Sequence, residues 1–387
     1  MPAGNRLDWI SLNLLPGLGP ILIDRALERF GDPGEIAYRV PVRRLATLPG
    51  AGPKLLAGID EARATLRRRA EKELRTADRL GLRILIRDGP GYPPALIELP
   101  DAPIVLYAKG ELPEGVVRIA VVGSRRATLY GTRVAAGLAA DLATRGIEIV
   151  SGGARGIDTA AHKGALAVAG RTVVVMGSGF LHPYPAQNAD LFERIAASGA
   201  VLSEFPLDTT PRPDNFPRRN RLISGLCVAV VVVEAARRSG SLVTAGHALE
   251  QGREVLAVPG PVSSGRSTGT NWLIQQGAKL VQNVEDIVEE LSPLFRTSLR
   301  PPEPAVDDAE ALPPPGLLPD ERTVLEMLDP VEPQQLDDLA ERAPFSFARL
   351  QSALFGLELR GAVDVRPGGH YLRKGRCRGS GPGSAPL

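Results

Sequence analysis

Between residues 116 and 291 the apolar positions gather into short runs rich in valine, separated by longer stretches of helical period. The runs lie at 117–122, 147–151, 172–176, 200–203, 228–233 and 255–258, and they are continuous rather than alternating. A continuous run suits a strand covered on both faces, and strands separated by helical stretches suit crossover connections. The pattern predicts an α/β fold built on a central Rossmann-like, mostly parallel sheet, assigned here to residues 86–296.

The flanks read differently. Residues 1–85 are helical in period and carry an internal echo: Leu15-Pro16-Gly17-Leu18-Gly19-Pro20 recurs as Leu48-Pro49-Gly50-Ala51-Gly52-Pro53. Each copy opens an apolar-periodic stretch, 21–30 and 54–64, which predicts an all-α helix-hairpin-helix (SAM-like) domain. Such hairpins either offer backbone N–H groups to a phosphate or simply make tight helix connections. The segment Arg67-Arg68-Arg69-Ala70-Glu71-Lys72-Glu73-Leu74-Arg75 mixes signs at helical spacing and reads as a solvated face. Residues 297–318 form a linker dense in proline and acidic residues. Residues 319–373 then read as three helices, near 320–328, 334–342 and 346–360, and a hairpin at 362–372 turning on Pro367-Gly368-Gly369. That order predicts a winged helix, with Ser346 as the N-cap of its third helix. Winged helices bind duplex DNA or mediate protein contacts, and the sequence leaves both open. A basic, glycine-rich tail occupies 374–387.

Charge changes the picture little. The 387 residues carry 46 Lys and Arg against 44 Asp and Glu, a formal net charge of +2. Any nucleic-acid footprint must therefore be local. Cys227 falls in the apolar run 226–233 and Cys377 in the tail, so neither a metal set nor a disulfide framework is expected. The first residues lack a signal-peptide layout and no apolar run is long enough to span a bilayer. A cytoplasmic protein with no membrane association is the expectation.

In an open parallel sheet, ligands gather at the carboxyl ends of the strands. Those positions hold Gly123-Ser124-Arg125-Arg126, then Ser151-Gly152-Gly153-Ala154-Arg155-Gly156-Ile157-Asp158, then Gly177-Ser178-Gly179, and Glu234 followed by Ser239-Gly240-Ser241 and Thr244. Small, hydroxylated, glycine-rich loops let a phosphate approach the backbone at helix N-termini. Neither a Gly-Xaa-Gly-Xaa-Xaa-Gly fingerprint nor a Walker-type lysine loop is present, which disfavours a dinucleotide or nucleoside-triphosphate enzyme. Between the fourth and fifth runs, Arg212, Arg218, Arg219 and Arg221 place four arginines in ten residues, interleaved with Phe216 and Asn220. Arginine forks suit phosphates, and aromatic faces suit unpaired bases. The alternative is a crossover loop whose arginines pair with Asp208 and Asp214. His162 lies inside a helical stretch and reads as structural, Asp158 as a first-turn acid, and Glu204 and Glu234 end strands singly. No nucleophile–base–orienter set is visible, so no catalytic residue, cofactor or metal is expected.

At these residues the chain resembles the bacterial DNA-processing protein A family, also called DprA or Smf. The carrying motifs are Gly123-Ser124-Arg125, Ser151 to Asp158, Phe216 to Ser224, Val232-Val233-Glu234-Ala235, Ser239 to Ala245, Val258-Pro259-Gly260, and Gly269-Thr270-Asn271 on to Gly277-Ala278. The resemblance implies a homodimeric single-stranded DNA-binding protein, without cofactor, that protects incoming DNA and loads the RecA recombinase in natural transformation. With the loop and arginine readings it makes Gly123, Ser124, Arg125, Ser151, Gly152, Gly153, Arg218, Arg219, Asn220, Arg221, Ser239, Ser241 and Thr244 the candidate DNA-contacting set. It also implies dimer or recombinase contacts near Trp272, Leu273, Ile274 and Leu280. One departure stands out: Tyr184-Pro185-Ala186-Gln187-Asn188 lacks the basic residue that family members often place there, so either Arg218 compensates or affinity is lower. The rival with a shared sheet is a nucleotide phosphoribohydrolase, whose Pro-Gly-Gly-Xaa-Gly-Thr loop is replaced here by Pro259-Gly260-Pro261-Val262. A third reading is an adaptor whose central pocket holds a small nucleotide.

Overall fold

The structure, a computed structural model, describes residues 5–52, 58–291, 293–297, 299, 317–329, 333–366 and 369–373. Most of the expected linker, the tail with Cys377, the start of the stretch 54–64 and Pro367-Gly368 lie outside the described residues. The chain forms two compact units, Met1–Pro301 and Pro302–Leu387.

The first unit is built on a nine-stranded sheet: β1 (Arg83–Ile86), β2 (Val105–Gly110), β3 (Arg118–Val122), β4 (Glu148–Ser151), β5 (Thr172–Val175), β6 (Ala200–Ser203), β7 (Ala229–Val232), β8 (Glu254–Ala257) and β9 (Lys279–Leu280). Their spatial order is β1-β2-β6-β5-β4-β3-β7-β8-β9. Strands β3 to β9 run parallel, while β2 pairs antiparallel with both β1 and β6. The continuous apolar runs follow from burial on both faces. In β3, Ala120 and Val122 enter one core and Ile119 and Val121 the other; in β7, Val230 and Val232 oppose Ala229 and Val231 in the same way. Successive side chains alternate faces, so two covered faces demand apolar residues at every position.

From β3 the chain winds outward through β4, β5 and β6, then returns to the other flank of β3 and continues through β7, β8 and β9. The β3/β7 boundary is thus the switch point, where crossovers on its two sides leave a crevice above the strand ends.

The N-terminal helices Arg6–Asn13, Pro20–Phe30, Pro33–Tyr38 and Ile59–Arg79 share one core with the added antiparallel strands: Ile10, Leu22, Ile36 and Leu66 pack in it with Ile84, Tyr107 and Leu207. Both glycine-rich hairpins turn on a left-handed glycine, Gly17 at φ 76° and Gly50 at φ 83°. Arg67, Arg68 and Arg69 lie exposed on the long helix, and Arg67 and Arg75 pair with Glu71. Arg63 instead turns inward to the carbonyls of Ile36, Ala37 and Val40, which end the helix Pro33–Tyr38. No helix among the described residues is long and apolar enough to cross a membrane.

The second unit packs the helices Pro319–Met327, Leu336–Arg342 and Phe347–Leu359 around Val324, Leu339, Leu350 and Leu357. A small antiparallel sheet of order β10 (Gln334–Gln335), β12 (His370–Arg373), β11 (Val363–Arg366) completes the winged helix. Ser346 holds the N-cap position in extended backbone, although its hydroxyl makes no capping hydrogen bond.

Candidate nucleic-acid interface

The crevice at the switch point is an open cleft of about 670 Å³. Its walls come from the segments the topology brings there: Gly123 to Arg126 after β3, Ala154 and Asp158 after β4, Tyr184 after β5, Arg212, Phe216 and Asn220 before β7, and Ala236, Ser239 to Ser241 and Thr244 after β7. The helices Leu129–Thr144, Ile157–Ala167, Asn215–Gly225 and Gly240–Glu250 all begin at this edge. In a parallel sheet every crossover helix starts near a strand's carboxyl end, so partial positive charge and free N–H groups converge there.

Glu234 holds the first loop. Its carboxylate accepts from the Thr128 N–H at 3.1 Å and from the Thr128 hydroxyl at 2.6 Å, and its carbonyl accepts from the Ser124 N–H at 2.7 Å. Thr128 Oγ1 in turn caps the helix by accepting from Gly131 N at 3.0 Å. The Ser124 hydroxyl accepts from Arg126 N at 3.1 Å, which leaves both arginine side chains exposed at the cleft. Across the cleft Ser239 caps the helix Gly240–Glu250, and its hydroxyl lies 2.7 Å from that of Ser241.

Phe216 is the floor of this arrangement. The Arg125 guanidinium stands 5.0 Å from its ring centroid and that of Arg219 6.0 Å, while Tyr184 meets it at 5.5 Å between centroids with planes at 53°. Cation–π contact at these distances orients a guanidinium without neutralising it. Asp158, the acid lining the cleft, accepts from Ala154 N at 3.2 Å; burial raises its pKa, opposed by Arg219, that N–H and Arg125. Arg125, Arg126 and Arg212 are exposed at the cleft, so the basic patch is local, on a chain with almost no net charge.

The expected contact set divides. Gly123, Ser124, Arg125, Asn220, Ser239, Ser241 and Thr244 line the cleft. Ser151, Gly152 and Gly153 do not: Ser151 Oγ is spent on the Val121 carbonyl at 2.7 Å, and the carbonyls of Gly152 and Gly153 accept from Arg219 and Asn188. Nor do Arg219, Asn220 and Arg221 form one row. They sit on a helix, where each residue turns about 100°, so three in succession face three ways. Asn220 faces the cleft with Phe216 and Ile223. Arg219 is buried and donates to the carbonyls of Gly152 and Val175, with its pKa lowered to about 10 chiefly by burial. Arg221 points to the far side, where it pairs with Asp101 at 2.6 Å and Glu204 at 2.8 Å. Arg218 lies on that side too, 3.4 Å from Glu204. Asp208 and Asp214 are not their partners; Asp208 pairs with His182 at 2.9 Å. Among the later residues, Leu273 is core, Trp272 and Ile274 pack against it with Arg237 over the indole at 4.4 Å, and Leu280 is exposed on the edge strand β9.

Glu234 as loop holder, and Phe216, Tyr184, Arg126 and Arg212 as cleft residues, were absent from that set. Phe216 had a signal, an aromatic among arginines; Glu234 was placed at the strand end, but its role was not readable because its partner Thr128 is far away in sequence. Among the described residues no group of three or more His, Cys, Asp or Glu side chains could hold a metal.

His162, in the same layer, is fully buried with Nδ1 2.7 Å from Thr172 Oγ1. That hydroxyl gives its hydrogen to the Ile149 carbonyl, so Nδ1 is the donor and Nε2, which has no partner, carries no proton. Burial, aided by Arg219, lowers its pKa from 6.5 to about 3. The unfolded chain therefore takes up a proton below pH 6.5 that the native state refuses, so this contribution to stability is lost as pH falls from 6.5 towards 3. We expect wild type to lose about 1.4 kcal/mol per pH unit across that window relative to His162→Leu. Urea midpoints measured against pH check this, and parallel curves would refute it.

A doubly wound sheet without a dinucleotide fingerprint, a cationic and aromatic cleft at its switch point and a winged helix define the class: a Rossmann-like protein with a winged-helix unit. Residues 83–292 match the family model of DNA recombination-mediator protein A, and residues 308–369 match the DprA winged helix domain. The chain belongs to this family. It is 45% identical to Protein Smf of Escherichia coli over 302 residues, covering 75% of this chain and 77% of that one. It is 31% identical to Protein Smf of Synechocystis over 401 residues, covering 95% and 98%. The X-ray structure of DNA processing protein A from Streptococcus pneumoniae superposes with a TM-score of 0.63 at 34% identity, covering 73% of this chain and 96% of that one.

Proposed function

We propose that the cleft binds single-stranded DNA. The observation that carries this reading is Phe216, an aromatic face set among guanidinium groups where four helix N-termini converge. Phosphates meet Arg125, Arg126, Arg212 and the backbone N–H groups, while bases stack on Phe216 and Tyr184. A base reaches a ring face only when it is unstacked, which selects a single strand over a duplex. The groups at the cleft suit binding rather than bond-making. Binding of labelled oligothymidine at several salt concentrations tests the proposal. With three exposed arginines as phosphate partners, log K should fall with log salt at a slope of about −2. A salt-independent affinity, or equal preference for a matched duplex, would overturn it.

The family relationship supports the wider role: protecting incoming strands and loading the RecA recombinase during natural transformation, with the working unit a homodimer. Edge strand β9, with Leu280 exposed, and the Arg237–Trp272 stack offer a surface for a second copy. Sedimentation of the full chain, alone and with RecA recombinase, tests both; a monomer that never co-sediments with RecA would remove them while leaving the cleft reading intact.

A further inference from the structure

The helix Asn215–Gly225 is a wall with two sides. Phe216 and Asn220 face the cleft, whereas Arg218 and Arg221, three residues apart, face the carboxyl end of β6. On that side lies a separate recess of about 370 Å³, between the first glycine-rich hairpin and the segment after β6. Gly17, Leu18 and Gly19 line one side of it, and Glu204, Phe205 and Arg218 the other. Its volume is within the range of small-ligand pockets.

Glu204 decides what such a ligand must carry. Its side chain is 1% exposed. Oε2 accepts from Arg221 Nη2 at 2.8 Å and from Arg218 Nη2 at 3.4 Å, whereas Oε1 is buried and accepts nothing. A buried acceptor left bare costs free energy, so an occupant that brings N–H groups is favoured. Arg218, its side chain half exposed and 5.4 Å from the Phe205 ring, stands ready for an anion. N–H donors and a phosphate together, beside a strand-binding cleft, describe another nucleotide of the same strand.

The base follows from donor count. A carboxylate oxygen has two lone pairs. Guanine presents N1–H and the N2 amino group side by side on its Watson–Crick edge. Thymine's single N3–H stands between two carbonyl oxygens, which a carboxylate repels. Adenine and cytosine each set one amino group beside a ring-nitrogen acceptor. We propose that the recess between the first hairpin and β6 is a guanine-selective base pocket beside the strand cleft, with Glu204 accepting from the base and Arg218 meeting its phosphate. This rests on the single-strand reading of the cleft.

The test is the ratio of affinities for an oligothymidine strand with dispersed guanosines and for the same strand without them. Wild type should prefer the guanosine strand about tenfold, the value of a charge-assisted hydrogen bond. Glu204→Gln, which puts an amide in place of the carboxylate, should bring the ratio close to one. Because Glu204 also supports Arg221, a second variant leaves that pair intact. Gly19 lines the recess, has ordinary extended backbone (φ −80°, ψ 169°), and a Cβ there meets nothing within 4 Å, so Gly19→Trp is chosen to crowd the recess, with circular dichroism and the urea midpoint required to match wild type. It too should abolish the preference. Equal binding of both strands by wild type, or a preference that survives Gly19→Trp, would overturn the pocket while the cleft stands. Failure of wild type to bind either strand would remove the cleft reading itself.

Discussion

Gly156→Ala is expected to destabilise the first unit by about 3 kcal/mol or more and to abolish measurable strand binding. Gly156 joins β4 to the helix Ile157–Ala167 with φ 78° and ψ −125°, a conformation L-residues avoid. An added Cβ would lie 2.2 Å from the Ser124 carbonyl oxygen and 2.9 Å from the Arg125 carbonyl carbon. Those are backbone atoms and cannot swing aside. The same Ser124 carbonyl accepts from Ile157 N at 3.1 Å, so the loops after β3 and β4 lock together at this glycine. Alanine must separate them and move Ser124 and Arg125 out of place. Gly137, mid-helix on an exposed surface with nothing within 4 Å of its Cβ position, is the control. Gly137→Ala should be neutral or stabilise by about 0.5–1 kcal/mol. Urea unfolding and strand titration of both variants decide the matter: equal midpoints would show that the loop junction yields.

Phe216→Ala is expected to weaken oligothymidine binding by about 1–3 kcal/mol, the worth of a stacked base, and Arg125→Ala by a similar amount. The pair should not be additive. Phe216 holds the Arg125 guanidinium 5.0 Å from its ring, so once the ring is gone the arginine samples many rotamers and contributes less. Removing Arg125 in the Phe216→Ala background should then cost about 0.5–1 kcal/mol less than in wild type. A double-mutant cycle by fluorescence anisotropy at low salt measures this. Strict additivity would mean that ring and guanidinium act on the strand independently. Phe216 also packs against Gly177, so the variants' circular dichroism must first match wild type.

Much of the scaffold was legible from local pattern. The six apolar runs became β3 to β8 with ends shifted by a residue or so, because a strand buried on both faces needs apolar residues at every position, whatever its neighbours. The order of runs and helical stretches implied the carboxyl-edge site, and Gly123-Ser124-Arg125 and Ser239-Gly240-Ser241 stand there. Outside the arginine-rich stretch, two things were not legible. Strand β2 is ordered by pairing with β6, β1 by pairing with β2, and both by the N-terminal helices packed upon them, a long-range arrangement that leaves little trace in four to six residues. The duty of Glu234 depends on Thr128, brought beside it by the sheet.

The arginine-rich stretch is the clearest division between the two levels. Its composition alone determined that charge would collect next to the switch point. Which arginine meets the cleft depended on helical phase and on partners from elsewhere in the chain: Gly152 and Val175 take Arg219, Asp101 and Glu204 take Arg221, and Phe216 positions Arg125. Strand propensity and turn chemistry are written in neighbouring residues and survive in a linear reading. The pairing of a buried charge is settled only when packing excludes water and leaves a few partners within reach, and that is decided in the tertiary structure.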